Sequence, residues 1–354
     1  MIDPHVHLRD WDQSKKETLL HGIGTAYRSG INGLFEMPNT SPVLTGRVVI
    51  ERRIADAQKA LEALSLSSED LLYGLYVGLT QDKLQRAEVL GLYEEYFPTI
   101  IGFKLFAGHS TGNMGTTTEA AQRAIYRQLA ETSYKGILAV HCEKETLMHP
   151  DLWDSSRPET HGEARPAVAE LQSVKDQIAH AVETGFSGSL HICHVSHPDT
   201  VDLINEIRNT SLPFTITCGV TPHHALLNSE EVDHTGNLMK MNPPLRDKSA
   251  QERLYLQLLQ GKIDWIESDH APHTLQDKAD GASGIPGFTG YVKLVPRLLS
   301  EKIDQELLKD LIGRRFLEVV GISVSDERFF SIPERFDPSI ADDYPWDPFK
   351  YLLT

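Results

Sequence analysis

Cysteine is scarce in this chain: Cys142, Cys193 and Cys218 are the only three in 354 residues, far apart and each inside an apolar run. An odd, dispersed set of this kind reads as reduced core thiols and predicts a cytoplasmic protein. No signal peptide precedes Ile2, and no apolar run reaches the roughly 20 residues of a membrane-spanning helix, so no membrane partner is expected. Positive charge is also short, with 34 Lys and Arg against 50 Asp and Glu and a net charge of -16. That balance excludes nucleic acid and anionic membrane surfaces as partners. It leaves small substrates open, because a local pocket can oppose the global sign. Internal repeats and low-complexity segments are missing. So is any glycine-rich dinucleotide or phosphate-binding pattern after a strand, which counts against an open doubly wound sheet.

What is present is ordinary globular material, 40% hydrophobic, at a length that supports a sizeable core. Apolar strand-like runs alternate with helical periodicity along nearly the whole chain. Strands are predicted over 1–8, 33–37, 71–78, 100–106, 137–141, 190–195, 214–220 and 263–268. Helices are predicted over 16–29, 46–63, 81–96, 118–133, 166–184 and 197–208, then up to about 259 and over 289–317. Eight such alternations predict an α/β fold, a (β/α)8 TIM-type barrel over 1–321. The tail 322–354, rich in Pro and Asp, is expected to pack on the barrel or on a partner. Segment 144–165 reads as a polar loop. The stretch Ala107–Thr117, with Gly108, Gly112 and Gly115, reads as a mobile lid.

Functional residues of such barrels collect at the C-terminal ends of the strands. Polar outliers sit there. His5 and His7 alternate onto one strand face about 7 Å apart, a spacing from which two imidazoles can grip one cation. Arg9 lies two further along, expected on the same face. Strand two runs into Asn39. Strand four carries Lys104 among Ile101, Phe103 and Leu105. Strand five ends in His141-Cys142-Glu143, strand six in His194-Val195-Ser196-His197, strand seven in Thr221-Pro222-His223-His224. Strand eight ends in Ser268-Asp269-His270-Ala271-Pro272-His273. A lysine in an apolar strand is costly unless paired or modified. Addition of CO2 to its nitrogen would make it an anionic bridging ligand for two metals.

With Asp3-Pro4-His5-Val6-His7-Leu8-Arg9, Met37-Pro38-Asn39-Thr40, Gly102-Phe103-Lys104-Leu105, Asn242-Pro243-Pro244-Leu245-Arg246 and Gly284-Ile285-Pro286-Gly287 added to these strand ends, the chain resembles the amidohydrolase superfamily, and within it the dihydroorotases. The resemblance implies one metal on His5, His7 and Asp269, a second on His141 and His194, and Lys104 as a carboxylated bridge. The two divalent cations would be zinc. It further implies Asp269 as the catalytic residue. Arg9, Asn39 and His273 would bind a substrate carboxylate, and Asn242 with the backbone near Ser283 and Gly284 the ring. The chain departs from many members in beginning inside its first strand, so the N-terminal half of a β-sandwich is not expected. Some longer members bridge their metals with aspartate in place of lysine.

The implied activity is reversible hydrolysis of the cyclic amide of dihydroorotate to N-carbamoyl-aspartate, in pyrimidine synthesis. The alternatives are another cyclic amidohydrolase (hydantoinase, dihydropyrimidinase or allantoinase) or an inactive homologue serving as a structural partner. A homo-oligomer and an association with aspartate transcarbamoylase both stay open. Of the remaining histidines, His21, His149, His161, His180 and His234 are assigned to surface or packing, His109 to a solvated loop and His191 to the core. His197, His223, His224 and His270 adjoin the site, where one or two would support a ligand. Glu143 would either do the same or start a helix.

Overall fold

In a computed structural model the strands β1 (Ile2–Val6), β2 (Gly33–Glu36), β3 (Leu72–Gly78), β4 (Ile100–Ala107), β5 (Ile137–Cys142), β6 (Ser189–Ile192), β7 (Thr215–Val220) and β8 (Trp265–Ile266) pair in parallel in chain order. Residues 1–110, 114–332, 336–350 and 352 are described; positions 111–113 of the expected lid, Gly112 among them, lie outside these. The sheet curls until Val6 bridges His270 just past β8, with the His7 N–H donating to the His270 carbonyl at 2.8 Å. This is a (β/α)8 barrel, closed by a single bridge and not by a full ladder.

The strands are largely buried because both faces are covered, and they read accordingly as mainly apolar runs broken by the site residues. All eight residues of β4 are buried, Lys104 included. Eight helices wrap the outside: α1 (Leu19–Arg28), α2 (Arg47–Ala63), α3 (Lys83–Tyr96), α4 (Glu119–Glu131), α5 (Ala167–Thr184), α6 (Pro198–Arg208), α7 (Lys248–Leu259) and α8 (Phe288–Ser300). Their inner stripes, such as Leu19, Ile23 and Ala26 of α1, pack on the barrel. Each fully buried Leu, Ile or Phe contributes roughly 1.5–3 kcal/mol. Helix starts follow local chemistry. Thr18 and Thr118 cap α1 and α4 by accepting from the N–H three residues on, and Pro198 opens α6 at the position where a proline loses nothing. Among the described residues no helix is long and apolar enough to cross a membrane.

Three expectations need correction. The segment 144–165 contains three short helices, Glu145–Leu147, Pro150–Leu152 and Thr160–Ala164, each too short to show a period. The stretch between β7 and α7 likewise holds Pro222–Leu226, Glu230–Thr235 and Gly236–Met239. The helices expected over 289–317 are there as Phe288–Ser300, Gln305–Lys309 and Arg315–Val320, with Gly313 at a φ of 117° just before the last. Finally, β1 stops at Val6, not residue 8. In the tail, Tyr344 donates from its hydroxyl to Glu17 at 2.8 Å and Phe349 is fully buried.

Candidate metal centre and substrate cleft

One cleft at the C-terminal end of the barrel is lined by His5, His7, Arg9, Asn39, Lys104, His141, His194, Asn242, Asp269, Ser283 and Gly284 together with Phe106, Ser110 and Ala271. These come from strand ends β1, β2, β4, β5, β6 and β8 and from the loops after β7 and β8. Their donor atoms converge in two sets. The ligand atoms of His5, His7 and Asp269 all lie within 4.8 Å of one another. Asp269 Oδ1 is 2.9 Å from His7 Nε2 and 3.4 Å from His5 Nε2. His141 Nδ1 and His194 Nε2 approach to 3.2 Å, with the His194 ring 5.2 Å from that of His5.

Burial holds the imidazoles of His5, His194 and His141 below their usual pKa, with the neighbouring positive groups adding to it. They are therefore neutral, the form that ligates a metal. His5 Nδ1 and His194 Nδ1 are buried without hydrogen-bond partners. Lys104 is fully buried, and its Nζ meets Cys193 Sγ at 3.0 Å and the Phe106 ring at 5.1 Å. Among the described residues it forms no ion pair with a carboxylate. A buried ammonium without a counter-charge and surrounded by neutral imidazoles is expensive. A carbamate at Nζ between two cations removes that cost. The donor set and the buried lysine without a counter-charge fit a two-metal centre.

The ligands are held from behind. His141 Nε2 pairs with Glu143 Oε2 at 2.8 Å, leaving Nδ1 facing His194, and Glu143 is gripped by Arg165. Burial alone would raise the Glu143 carboxyl, but Arg165 and His141 bring it well below the usual range. Glu267 was overlooked in the sequence, although it stands two before Asp269. It accepts a short hydrogen bond from the His194 N–H and is 3.1 Å from His191 Nε2. His191 is a satisfied core residue, raised to about 9 because the Glu267 charge overrides burial. The backbone of both His194 and Asp269 is left-handed, with φ of 37° and 47°, conformations a side chain adopts only where its surroundings impose them.

Arg9 reaches the cleft by a different route from the one expected. It is not two steps along a strand: its φ is 50°, and Asp10 and Trp11 follow at 65° and 50°. The strand ends before it and the chain turns sharply. The guanidinium donates from Nε to the Pro272 carbonyl at 3.1 Å and lies 3.1 Å from His273 Nε2. Asn39 Oδ1 stands 2.5 Å from His7 Nδ1, so it touches a ligand as well as the cleft. Asn242 Oδ1 is 3.0 Å from His161 Nε2. His161, read from sequence as packing, is thus buried against the cleft wall. His223 is buried without partners, His224 bonds Thr221 and the Pro243 carbonyl, and His270 pairs with Glu17. His197 caps α6 and touches no ligand. His109, exposed, pairs with Glu145.

No family model matches the chain. A dihydroorotase of Thermococcus kodakarensis is 33% identical over 298 residues, 83% of this chain and 61% of that protein. One of Pyrococcus horikoshii is 33% identical over 298 residues, covering 83% of this chain and 59% of that protein. One of Pyrococcus abyssi is 31% identical over 342 residues, 95% of this chain and 69% of that protein. The chain therefore spans less than two thirds of the first two relatives. Among solved structures, an L-hydantoinase (dihydropyrimidinase) from Arthrobacter aurescens superposes with a TM-score of 0.75 at 23% identity, covering 90% of this chain and 70% of that one. A D-hydantoinase (dihydropyrimidinase) from Thermus sp. gives 0.75 at 21%, covering 92% and 72%. At such identities these two speak for the barrel.

Proposed function

The chain belongs to the dihydroorotase family, and from that premise we propose that it is itself a dihydroorotase, interconverting dihydroorotate and N-carbamoyl-aspartate in pyrimidine synthesis. Two divalent cations, zinc in this reading, held by His5, His7 and Asp269 and by His141 and His194 with carboxylated Lys104 between them, would acidify water and polarise the scissile carbonyl. The chain's own residues supply the rest. Asp269 accepts the proton of the attacking water and returns it to the departing ring nitrogen, so the C–N bond breaks as the C–O bond forms. Arg9, with Asn39 and His273, takes the ring carboxylate. Asn242, Ser283 and Gly284 border the ring.

The observation that carries this reading is Arg9 itself. A buried guanidinium 3.1 Å from His273, on the wall beside His7, is a counter-charge that a ring without a carboxylate has no use for. Dihydrouracil and hydantoin lack that group and would leave these donors unpaired. The test is ring-opening by the metal-loaded protein on dihydroorotate, dihydrouracil, hydantoin and allantoin. Dihydroorotate should be preferred by about 100-fold or more in kcat/KM. Comparable rates on dihydrouracil or hydantoin would transfer the assignment to the other cyclic amidohydrolases, and zero turnover with full metal content would favour the inactive homologue.

A further inference from the structure

The geometry points to Lys278 as a positioning residue for substrate: we propose that its ammonium fixes the cleft wall carrying Asn242, Ser283 and Gly284 and thereby sets affinity for the ring. The inference rests on the reading of these three as ring contacts. Lys278 lies on a short helix, Leu275–Ala279, beyond His273, and is 1% exposed. Its Nζ donates to three backbone carbonyls, those of Lys240 at 2.8 Å, Ala282 at 2.8 Å and Gly284 at 2.9 Å. An ammonium has three donors, and all three are used. The Trp346 ring, 5.6 Å away, stands beside the ammonium. Among the described residues no carboxylate pairs with it; burial lowers its pKa, and the three carbonyl acceptors are what favour the charged form.

A second lysine works the same wall from outside. Lys240 is half-buried and donates from Nζ to the Gly281 carbonyl at 2.8 Å and to Ser283 Oγ at 2.9 Å. The Gly284 N–H donates to the Lys240 carbonyl at 2.9 Å, which therefore accepts from both Gly284 and Lys278. The segments bearing Asn242 and Ser283–Gly284 are thus joined through one carbonyl. The wall tolerates little movement. Gly284 has a φ of 132°, and a Cβ there would stand 2.6 Å from the Ala271 carbonyl oxygen. Ser283 passes the constraint on, since its carbonyl lies 3.0 Å from His273 Nε2, next to Arg9. If the segments only had to pack, an apolar side chain would fill the position of Lys278 at lower cost. A buried cation spent on three carbonyls fixes where those peptides point.

Lys278→Met keeps the length of the side chain and removes its donors. In the metal-loaded protein we expect wild-type metal content, KM raised about tenfold or more, and kcat changed by less than about threefold. A lower melting temperature with unaltered KM, or a loss confined to kcat, overturns the proposal. Should Lys278→Met fail to fold, Lys240→Met removes the outer half of the clamp from a half-buried position; a raised KM there supports the proposal and an unchanged KM overturns it. KM is measured on whichever ring the wild type opens. A wrong substrate assignment then shows in the wild type alone, and a wrong clamp only in the variant-to-wild-type ratio.

Discussion

The Arg53 guanidinium donates from Nη2 to the backbone carbonyl of Arg9 at 3.0 Å, so a residue of α2 holds the turn that presents the candidate carboxylate binder. Three consecutive left-handed residues, Arg9 to Trp11, each cost roughly 1–2 kcal/mol. The turn is secured on all sides. Asp10 accepts from the Trp11 and Leu19 N–H groups at 2.6 and 2.8 Å, and the Trp11 ring lies 4.8 Å from the Arg53 guanidinium. Arg53 is also paired with Glu36, Nε to Oε2 at 2.8 Å, and both are fully buried. Arg53→Met would strand the Glu36 carboxylate. A stability loss of about 3–5 kcal/mol is expected by denaturant titration, together with a raised KM. An unchanged KM in a folded variant would mean that Arg9 is held by its other contacts alone.

Lys104→Ala tests the centre. On the proposed two-metal reading, losing the lysine removes the bridge, and the set of donors drops to three on one side and two imidazoles on the other. The variant should bind at least one metal fewer per chain by elemental analysis, and turnover should fall by more than about 100-fold. Full metal content with near-normal turnover would make Lys104 a buried lysine and nothing more.

Asp269→Asn separates metal binding from proton transfer. The amide oxygen can still ligate, but it cannot take a proton from water. Metal content should stay near wild type while kcat falls by about 100-fold or more, within the range assigned to general acid–base groups. Retention of most of the rate would move the proton to another acceptor.

The residues that meet in the cleft were legible in the sequence because each is a chemically unusual residue within or at the end of an apolar run. His5, His7, His141, His194 and Asp269 fall at or just past a strand end and Lys104 lies inside β4, and the parallel order of strands follows from the alternation itself. What was illegible has a common cause. Arg53 and Lys278 act on backbone carbonyls, which every residue possesses, so no pattern of residue types marks the partner. Arg9 was placed correctly for the wrong reason, since strand alternation was extended past a turn whose left-handed residues carry no glycine to announce it. Glu267 was within reach: it stands two before Asp269 in a buried run, where a carboxylate needs a partner as much as Lys104 does. The short helices of 144–165 and 222–239 have three to six residues, less than two turns, and no period can be read from that.

The pH dependence of substrate affinity should carry the signature of Lys240. Burial, and then the nearby Arg165 charge, lower its pKa to about 8. The folded value is below that of an unfolded lysine, about 10.4. Between these values the unfolded chain binds the extra proton and the folded one does not, so this group's contribution to stability rises with pH across the window. Its effect on affinity runs the other way. Below about 8 the ammonium ties Gly281 and Ser283 in place; above it the neutral amine makes weaker bonds and the wall loosens. KM for the ring the wild type opens should therefore climb as pH rises through about 8, while denaturant stability does not fall with it from this cause. The decisive quantity is the ratio of KM in Lys240→Met to KM in wild type, because pH effects on the metals cancel in it. That ratio should be largest near pH 7 and approach one above pH 9. A ratio constant across the range would show that the charge on Lys240 has no part in holding the wall.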